Sequence, residues 1–270
     1  QTEAINELDK NDPEYYVKQG NTTEQYIAEN SIVKVYGSEA AEQLIDHCFQ
    51  IYGGYGFIEE YPMAQAYRDN RINKIWEGTN EINRMLCGRA MITKALSGEI
   101  GFKEYLEKVD GYCKDNLHSG YEGDYKSEVE CIEAAKAVYA ICLNESLSKH
   151  GQDIGTEQMI IENLANILIF SYVADSTLSR VLQNKDLYNK KNQIVPELCA
   201  KVYTAEHGIR VMEYANKILN SIYDGDIPDN LNVKLDVLKK RLSLSTDTIG
   251  FKKIIGEKVV EAGGYPVQSF

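Results

Sequence analysis

Apolar residues recur at steps of three and four over most of this 270-residue chain, and this spacing limits what the chain can fold into. Such a repeat places apolar side chains on one stripe of a helix, whereas a half-buried strand alternates apolar and polar residues. Only five prolines are available to interrupt helices. We therefore predict an all-α protein whose long helices and short connections form up-and-down bundles.

A segment without helical periodicity interrupts this pattern at residues 97–101, where two glycines favour a connection. Because the chain is longer than a usual single domain, we predict one helical domain over residues 1–98 and a second over residues 99–270. The first helix is predicted to open at a capping box formed by Thr22 and Gln25, and another at a cap formed by Thr79. The predicted helices cover residues 22–50, 62–75, 79–96, 124–150, 156–181, 195–222, 230–241 and 249–262.

Composition excludes several classes of function. A net charge of −12 disfavours a nucleic-acid partner, which requires clustered basic residues. The six cysteines lack paired spacing, which predicts a reducing, cytoplasmic location, and the four histidines lack the spacing of metal ligands, so no metal site is predicted. No run approaches the roughly 20 apolar residues of a transmembrane helix.

Three short blocks carry the functional signal: QIYGGYGF at residues 50–57, YRDNRI at residues 67–72 and IWEGTNEI at residues 75–82. Taken alone, each block has a structural interpretation. A carboxylate such as Glu77 before a helix start interacts favourably with the helix amides, and a cluster of glycines usually ends a helix and forms a turn. We interpret Arg68 and Asp69 in the second block as structural residues that form an ion pair or bridge helices.

In order and spacing, the three blocks together resemble the C-terminal signature of acyl-CoA dehydrogenases, and KVYGSE at residues 34–39 resembles the helix that leads into it. Beyond the signature, the chain resembles the additional helical domain of larger, very-long-chain-type members. The resemblance is strong for residues 24–96 and looser after them. It implies a truncated C-terminal helical bundle of the family followed by a second up-and-down bundle.

The resemblance also implies a reaction, the α,β-desaturation of a fatty acyl-CoA to a trans-2-enoyl-CoA in fatty acid β-oxidation, with FAD as cofactor. Glu77 is the implied base. As hypotheses of our own, Trp76 before it supplies apolar surroundings and Gly78 after it leaves room for the thioester of the substrate to approach. A carboxylate suits this task because an apolar site can raise its pKa from an ordinary value of about 4.3 toward the working pH.

Two segments are implied to contact FAD. At the start of one helix, amide groups suit a polar cofactor edge, although the same residues would serve as simple caps. The other segment resembles the part that touches the adenosine diphosphate of FAD in a neighbouring subunit, which implies a homodimer or homotetramer. The implied contacts are Thr79, Asn80 and Glu81 in the first segment and Gln50, Ile51, Tyr52, Gly53 and Gly54 in the second.

Complete members of the family also have an N-terminal helical domain and a middle β-domain, which supply flavin-ring contacts and much of the acyl-CoA pocket. We expect residues 1–12 to be the remainder of a helix, and the 270 residues alone to be inactive and to bind FAD weakly. Two alternatives stay open. One is a non-catalytic helical oligomerisation or interaction module. The other is an acyl-CoA oxidase, which uses oxygen in place of an electron-transfer flavoprotein.

Overall fold

The computed structural model describes residues 2–114, 121–184 and 190–267. Within these ranges the regular secondary structure is helical and contains no β-strand, which confirms the predicted all-α class. No helix in this part of the chain has the length and apolar character needed to cross a membrane. The chain divides into two compact units, Gln1–Lys94 and Ala95–Phe270. The assignment of residues 1–98 and 99–270 as functional domains stays a prediction.

The first unit is built around one long helix. Its elements are α1 (Thr2–Asn6), α2 (Tyr15–Gln25), α3 (Ile27–Tyr52), α4 (Gly54–Phe57), α5 (Pro62–Arg71), a 3₁₀ turn (Ile72–Lys74) and α6 (Asn80–Ser97), which runs past the unit's end. Helix α3 packs against α2, α4, α5 and the 3₁₀ turn. It buries Ala28, Ile32 and Val35, whose spacing of four and three places them on one stripe.

The predicted start of the first long helix at Thr22 is wrong. Helix α2 runs through Thr22, whose hydroxyl donates to the carbonyl oxygen of Lys18 at 2.8 Å, and the break falls at Tyr26. A hydroxyl that bonds to the carbonyl four residues earlier is satisfied inside a helix, so it caps nothing. The predicted end is confirmed, because Gly53 adopts a φ of +57° directly after α3.

The second unit is a larger helical bundle around one central helix. Its elements are α7 (Phe102–Lys114), α8 (Lys126–His150), a 3₁₀ turn (Gly151–Thr156), α9 (Gln158–Asn184), α10 (Lys190–Gly208), α11 (Arg210–Ile222), α12 (Asp229–Leu242) and α13 (Thr248–Ala262). Helix α8 contacts α7, α9, α10, α11 and α12. Every residue from 137 to 143 is buried, as expected for a helix enclosed on all sides.

Helix α7 was not among the predicted helices, and the helix predicted over residues 195–222 differs from the structure as well. The continuous helix predicted over residues 195–222 is two helices, α10 and α11, with Ile209 between them. Ile209 adopts right-handed helical dihedral angles, so the break needs neither proline nor a left-handed residue. Gly208, the last residue of α10, stands directly before the break, but a single glycine inside an apolar period did not by itself predict a helix end.

Candidate active site

The turn between the 3₁₀ helix and α6 holds two consecutive residues in the left-handed region of backbone space. Glu77 has a φ of +56° and Gly78 a φ of +77°. Glycine adopts this region freely, whereas a residue with a Cβ is strained there by about 1–3 kcal/mol. Such a conformation persists only where its surroundings hold it. The block at residues 75–82 thus places an exposed carboxylate on a strained turn directly before a helix.

Thr79 caps the N-terminus of α6, as predicted. Its hydroxyl oxygen accepts a hydrogen bond from the backbone N–H of Ile82 at 3.2 Å. The Glu81 side chain joins the same cap, since its own backbone N–H and the Thr79 hydroxyl hold the pKa of its carboxyl below the usual range. Both residues therefore have a structural role at the helix end, and the Glu81 side chain is exposed.

Asn80, beneath this cap, is only 1% exposed. Its amide nitrogen donates to Ser38 Oγ at 2.9 Å and to Glu39 Oε1 at 3.2 Å, and its amide oxygen accepts from Lys34 Nζ at 2.7 Å. The side chain is thus committed to partners on α3. Any contact of Asn80 with a cofactor rests on its backbone.

Asn83 and Lys34 reach the strained turn itself. Asn83 Nδ2 donates to the carbonyl oxygens of Gly78 at 2.8 Å and Thr79 at 3.1 Å, while Lys34 Nζ donates to the Gly78 oxygen at 2.8 Å. A Cβ at Gly78 would lie 3.1 Å from Asn83 Nδ2. Glycine at this position therefore serves both the positive φ and the close approach of Asn83, while its predicted role in admitting the thioester stays a prediction.

An ion pair joins α3 to α6 below the turn. The Arg84 guanidinium donates to both carboxylate oxygens of Glu39, at 2.8 and 2.9 Å. Desolvation raises the pKa of the Glu39 carboxyl, but the hydrogen bonds and charge of Arg84 outweigh it, so the net effect is a lowered pKa. Two parallel hydrogen bonds fix the relative position of the two helices as well as their charges.

Large apolar side chains around the turn remain exposed. Trp76 is 55% exposed, and its indole nitrogen donates to Asn73 Oδ1 at 3.1 Å. The neighbouring exposed apolar residues are Ile72, Ile75, Ile82 and Leu86. Several large exposed apolar side chains within residues 72–86 indicate a surface that another molecule covers. Its apolar character and the adjacent helix N-terminus fit a ring system with an apolar face and a polar edge.

The Gly53–Gly54 segment lies at the end of α3. Ile51 is 82% exposed, Gln50 is also exposed, and a Cβ at either glycine would meet no atom within 4 Å. Tyr52 is exposed as well and packs edge-on against another tyrosine. Among the described residues, no hydrogen bond or ion pair joins this segment to the Glu77 turn. The predicted FAD residues therefore form two separate sets.

Arg68 of the second block forms an ion pair, in line with its structural interpretation. Arg68 donates to both carboxylate oxygens of Glu59, at 2.8 and 2.7 Å, and both side chains are exposed. This pair ties the loop before α5 to the body of that helix. Such an exposed pair contributes little to stability.

Sequence reasoning assigned no role to Lys34, Asn83 or Glu39. One local signal was available, because Lys34 and Ser38 stand four residues apart on α3 and Asn80 and Asn83 three apart on α6. Each pair therefore shares one face of its helix. The two pairs contact each other across more than 40 residues of sequence, so only the folded structure reveals the contact.

Comparison with known proteins gives a consistent assignment. Two family models, both described as the C-terminal domain of acyl-CoA dehydrogenases, match residues 4–92 and 134–240. A probable acyl-CoA dehydrogenase of Bacillus subtilis is 30% identical over 230 residues, which are 85% of this chain and 38% of that protein. The mitochondrial very long-chain specific acyl-CoA dehydrogenase of Bos taurus is 33% identical over 183 residues, covering 60% of this chain and 27% of that protein.

A solved structure agrees with these sequence matches. The crystal structure of an acyl-CoA dehydrogenase complexed with FAD from Bacillus anthracis superimposes with a TM-score of 0.86, at 26% identity, over 97% of this chain and 44% of that one. The chain thus spans less than half the length of each of these relatives. Because the family models, the relatives and the fold agree along most of its length, the chain belongs to the acyl-CoA dehydrogenase family.

Proposed function

We propose that this chain carries the catalytic base of an FAD-dependent acyl-CoA dehydrogenase and that Glu77 is that base. The observation that carries the proposal is the exposed Glu77 carboxylate, held on a left-handed turn beside exposed apolar side chains at the start of α6. A strained residue at such a place is a mark of function.

In the proposed reaction, a carboxylate oxygen of Glu77 forms a bond to a hydrogen on the carbon next to the thioester carbonyl. The electron pair of the broken C–H bond becomes the new double bond, while a hydride leaves the following carbon. FAD, when bound, supplies the acceptor for that hydride. The product is a trans-2-enoyl-CoA, and the proton stays on Glu77.

The surroundings of Glu77 support this role. Substrate and cofactor lying on the Trp76 side chain and its apolar neighbours would exclude the water that otherwise stabilises the carboxylate charge. Gly78 and Trp76 are accordingly the proposed substrate neighbours.

Two segments are proposed to hold FAD. Thr79, the backbone of Asn80 and Glu81 present the start of an 18-residue helix, whose amides suit a polar cofactor group. The open segment from Gln50 to Gly54, which has no bond to the Glu77 turn, suits the adenosine diphosphate end of FAD in a neighbouring subunit. We accordingly propose a homodimer or homotetramer. The proposed electron acceptor is an electron-transfer flavoprotein.

The test is the FAD-containing enzyme with Glu77→Gln, mixed without oxygen with butyryl-CoA or palmitoyl-CoA. We expect FAD to remain bound and the flavin absorbance to persist, because the amide cannot accept the proton. Glu60→Gln, which changes an exposed carboxylate elsewhere in the first unit, should bleach like the wild type. Bleaching at the wild-type rate by Glu77→Gln would refute the proposal. Peroxide formation during turnover in air would show that oxygen, and not an electron-transfer flavoprotein, accepts the electrons. The enzyme would then be an oxidase.

The 270 residues alone are proposed to retain little FAD, since the proposed contacts form two separate segments in the part of the chain that the structure describes. The purified chain should therefore be colourless. A yellow preparation with flavin in stoichiometric amount would contradict this part of the proposal.

A further inference from the structure

We propose that Lys34 is a positioning residue for the base: its ammonium group holds the Gly78 carbonyl and so fixes the turn that carries Glu77. This inference rests on the proposed function of Glu77. Lys34 touches no reacting atom in this arrangement, and it acts through the backbone of the turn.

Two donors from different helices converge on one oxygen. Lys34 Nζ on α3 and Asn83 Nδ2 on α6 each lie 2.8 Å from the Gly78 carbonyl oxygen. A carbonyl oxygen has two lone pairs, so its capacity as an acceptor is used in full. The peptide that follows Gly78 is therefore tied on one side to the neighbouring helix and on the other to the helix it opens.

The Lys34 ammonium is itself held in place by a second hydrogen bond. This group also donates to Asn80 Oδ1 at 2.7 Å, and the buried Asn80 side chain is anchored by Ser38 and Glu39. Ser38 lies one helical turn after Lys34 on α3. Hydrogen bonds from a charged donor are stronger than neutral ones, so this arrangement fixes the ammonium as well as the turn.

The turn needs such a restraint because Glu77 is in a region that residues with a Cβ disfavour. If the Gly78 carbonyl is released, Glu77 and Gly78 can relax toward ordinary dihedral angles, and the Glu77 carboxylate moves with them. A displacement of about 1 Å from the productive geometry can lower a rate about 100-fold. We therefore expect Lys34 to affect the proton-transfer step and not the affinity for acyl-CoA.

The kinetic test uses the FAD-bound enzyme with Lys34→Met. Lys74→Met is the matched control, because Lys74 is similarly half-buried and forms an ion pair of 2.7 Å with Glu42, while its ammonium does not donate to the Gly78 carbonyl. With saturating butyryl-CoA or palmitoyl-CoA, we expect flavin reduction by Lys34→Met to be about 10- to 100-fold slower than in the control, with half-saturation changed less than about threefold. Lys34→Arg should recover part of the rate, since a guanidinium also donates.

Two further readouts separate positioning from general damage. Deuterium on the carbon next to the thioester should slow Lys34→Met more than the control, because proton abstraction then limits the rate more fully. Without FAD, hydrogen exchange of the Ile82 and Asn83 amides, which bond to Thr79, should be about tenfold faster in Lys34→Met than in Lys74→Met.

The outcomes distinguish the two proposals. Flavin bleaching by Glu77→Gln at the wild-type rate would refute the proposed function, and with it the role of Lys34, whatever rate the Lys34 variants show. If Glu77→Gln is inactive but Lys34→Met equals Lys74→Met in rate, isotope effect and exchange, only the positioning role is overturned. Should Lys34→Met fail to fold, Lys34→Gln, which keeps an amide donor, takes its place with the same criteria. Failure of both to fold while Lys74→Met folds would make Lys34 a structural residue and overturn the inference.

Discussion

Glu77 and the polar residues beneath its turn differ in how far the sequence revealed them. Glu77 stood out because its block forms part of a signature with fixed order and spacing. Lys34 did not stand out, because its hydrogen-bond partner is the carbonyl oxygen of Gly78, 44 residues away in sequence. Only the packed helices bring the two together. Local sequence encodes which residues share a helix face, but hydrogen bonds between distant segments depend on the fold.

The backbone strain at Glu77 predicts a difference between two substitutions. Glu77→Gly should be more stable than Glu77→Ala by about 1 kcal/mol, because only glycine adopts a φ of +56° without strain. Urea unfolding followed by fluorescence measures this directly, since Trp76 is the single tryptophan of the chain and lies beside the site. Equal stability of the two variants would mean that the turn is not strained.

The ion pair between Glu39 and Arg84 predicts a pH dependence of stability. The folded-state pKa of Glu39 lies below its ordinary value of 4.5, so the stabilisation is present above that pH and is lost as the pH falls through the folded-state pKa. Glu39→Gln should therefore lower the free energy of unfolding by about 1–2 kcal/mol at neutral pH, and the difference from the wild type should shrink in acid. Urea titrations at a series of pH values provide the measurement.

The matched control is Glu59→Gln, which removes a fully exposed partner of Arg68 and should leave stability close to that of the wild type. A difference for Glu39→Gln that stays constant from neutral to acid pH would show that charge is not its cause.

Helices in this chain were predictable where the signal was local and were mispredicted where it depended on context. Pro62 at the first turn of α5 and Gly53 after α3 mark boundaries that the structure contains. Thr22 and Thr79 offered the same residue type, yet only Thr79 follows residues that break the helix and so leaves amides to cap. The break at Ile209 follows Gly208, but one glycine inside a helical pattern was not interpreted as a helix end.

The two threonines supply a matched prediction. Thr79→Ala should cost about 1 kcal/mol, because the N–H of Ile82 loses its acceptor at the start of α6. Thr22→Ala should leave stability unchanged or slightly raised, because alanine is the better residue inside α2. Thermal unfolding followed by circular dichroism compares them, and equal losses in both variants would remove the distinction between cap and helix interior.

Two glycines of the second unit supply another matched prediction. A Cβ at Gly208 would lie 2.7 Å from Cys131 Sγ and 2.9 Å from the Leu242 carbonyl oxygen, so Gly208→Ala should destabilise by about 1–3 kcal/mol. Gly256, inside α13, has open space around it, so Gly256→Ala should stabilise by about 0.5–1 kcal/mol. Calorimetric unfolding temperatures measure both, and a shift of the same sign in the two variants would contradict the packing described for α8, α10 and α12.

At the scale of the whole molecule, the apolar period predicted an all-helical chain because a repeat of three and four is a local property of sequence. The central position of α8 was not predicted in the same way. Its sequence predicted one apolar stripe, whereas the structure buries residues 137–143 on every side. Burial on all sides depends on how many helices surround it, which periodicity does not encode.

The central claim is that the Glu77 carboxylate removes a proton from the carbon next to a thioester. The most direct measurement follows exchange of those hydrogens when the FAD-containing enzyme is incubated without oxygen in deuterium oxide with an acyl-CoA. We predict deuterium incorporation next to the carbonyl for the wild type and for Glu60→Gln, and none above the enzyme-free rate for Glu77→Gln. Undiminished incorporation by Glu77→Gln, with FAD and ligand bound, would contradict the account.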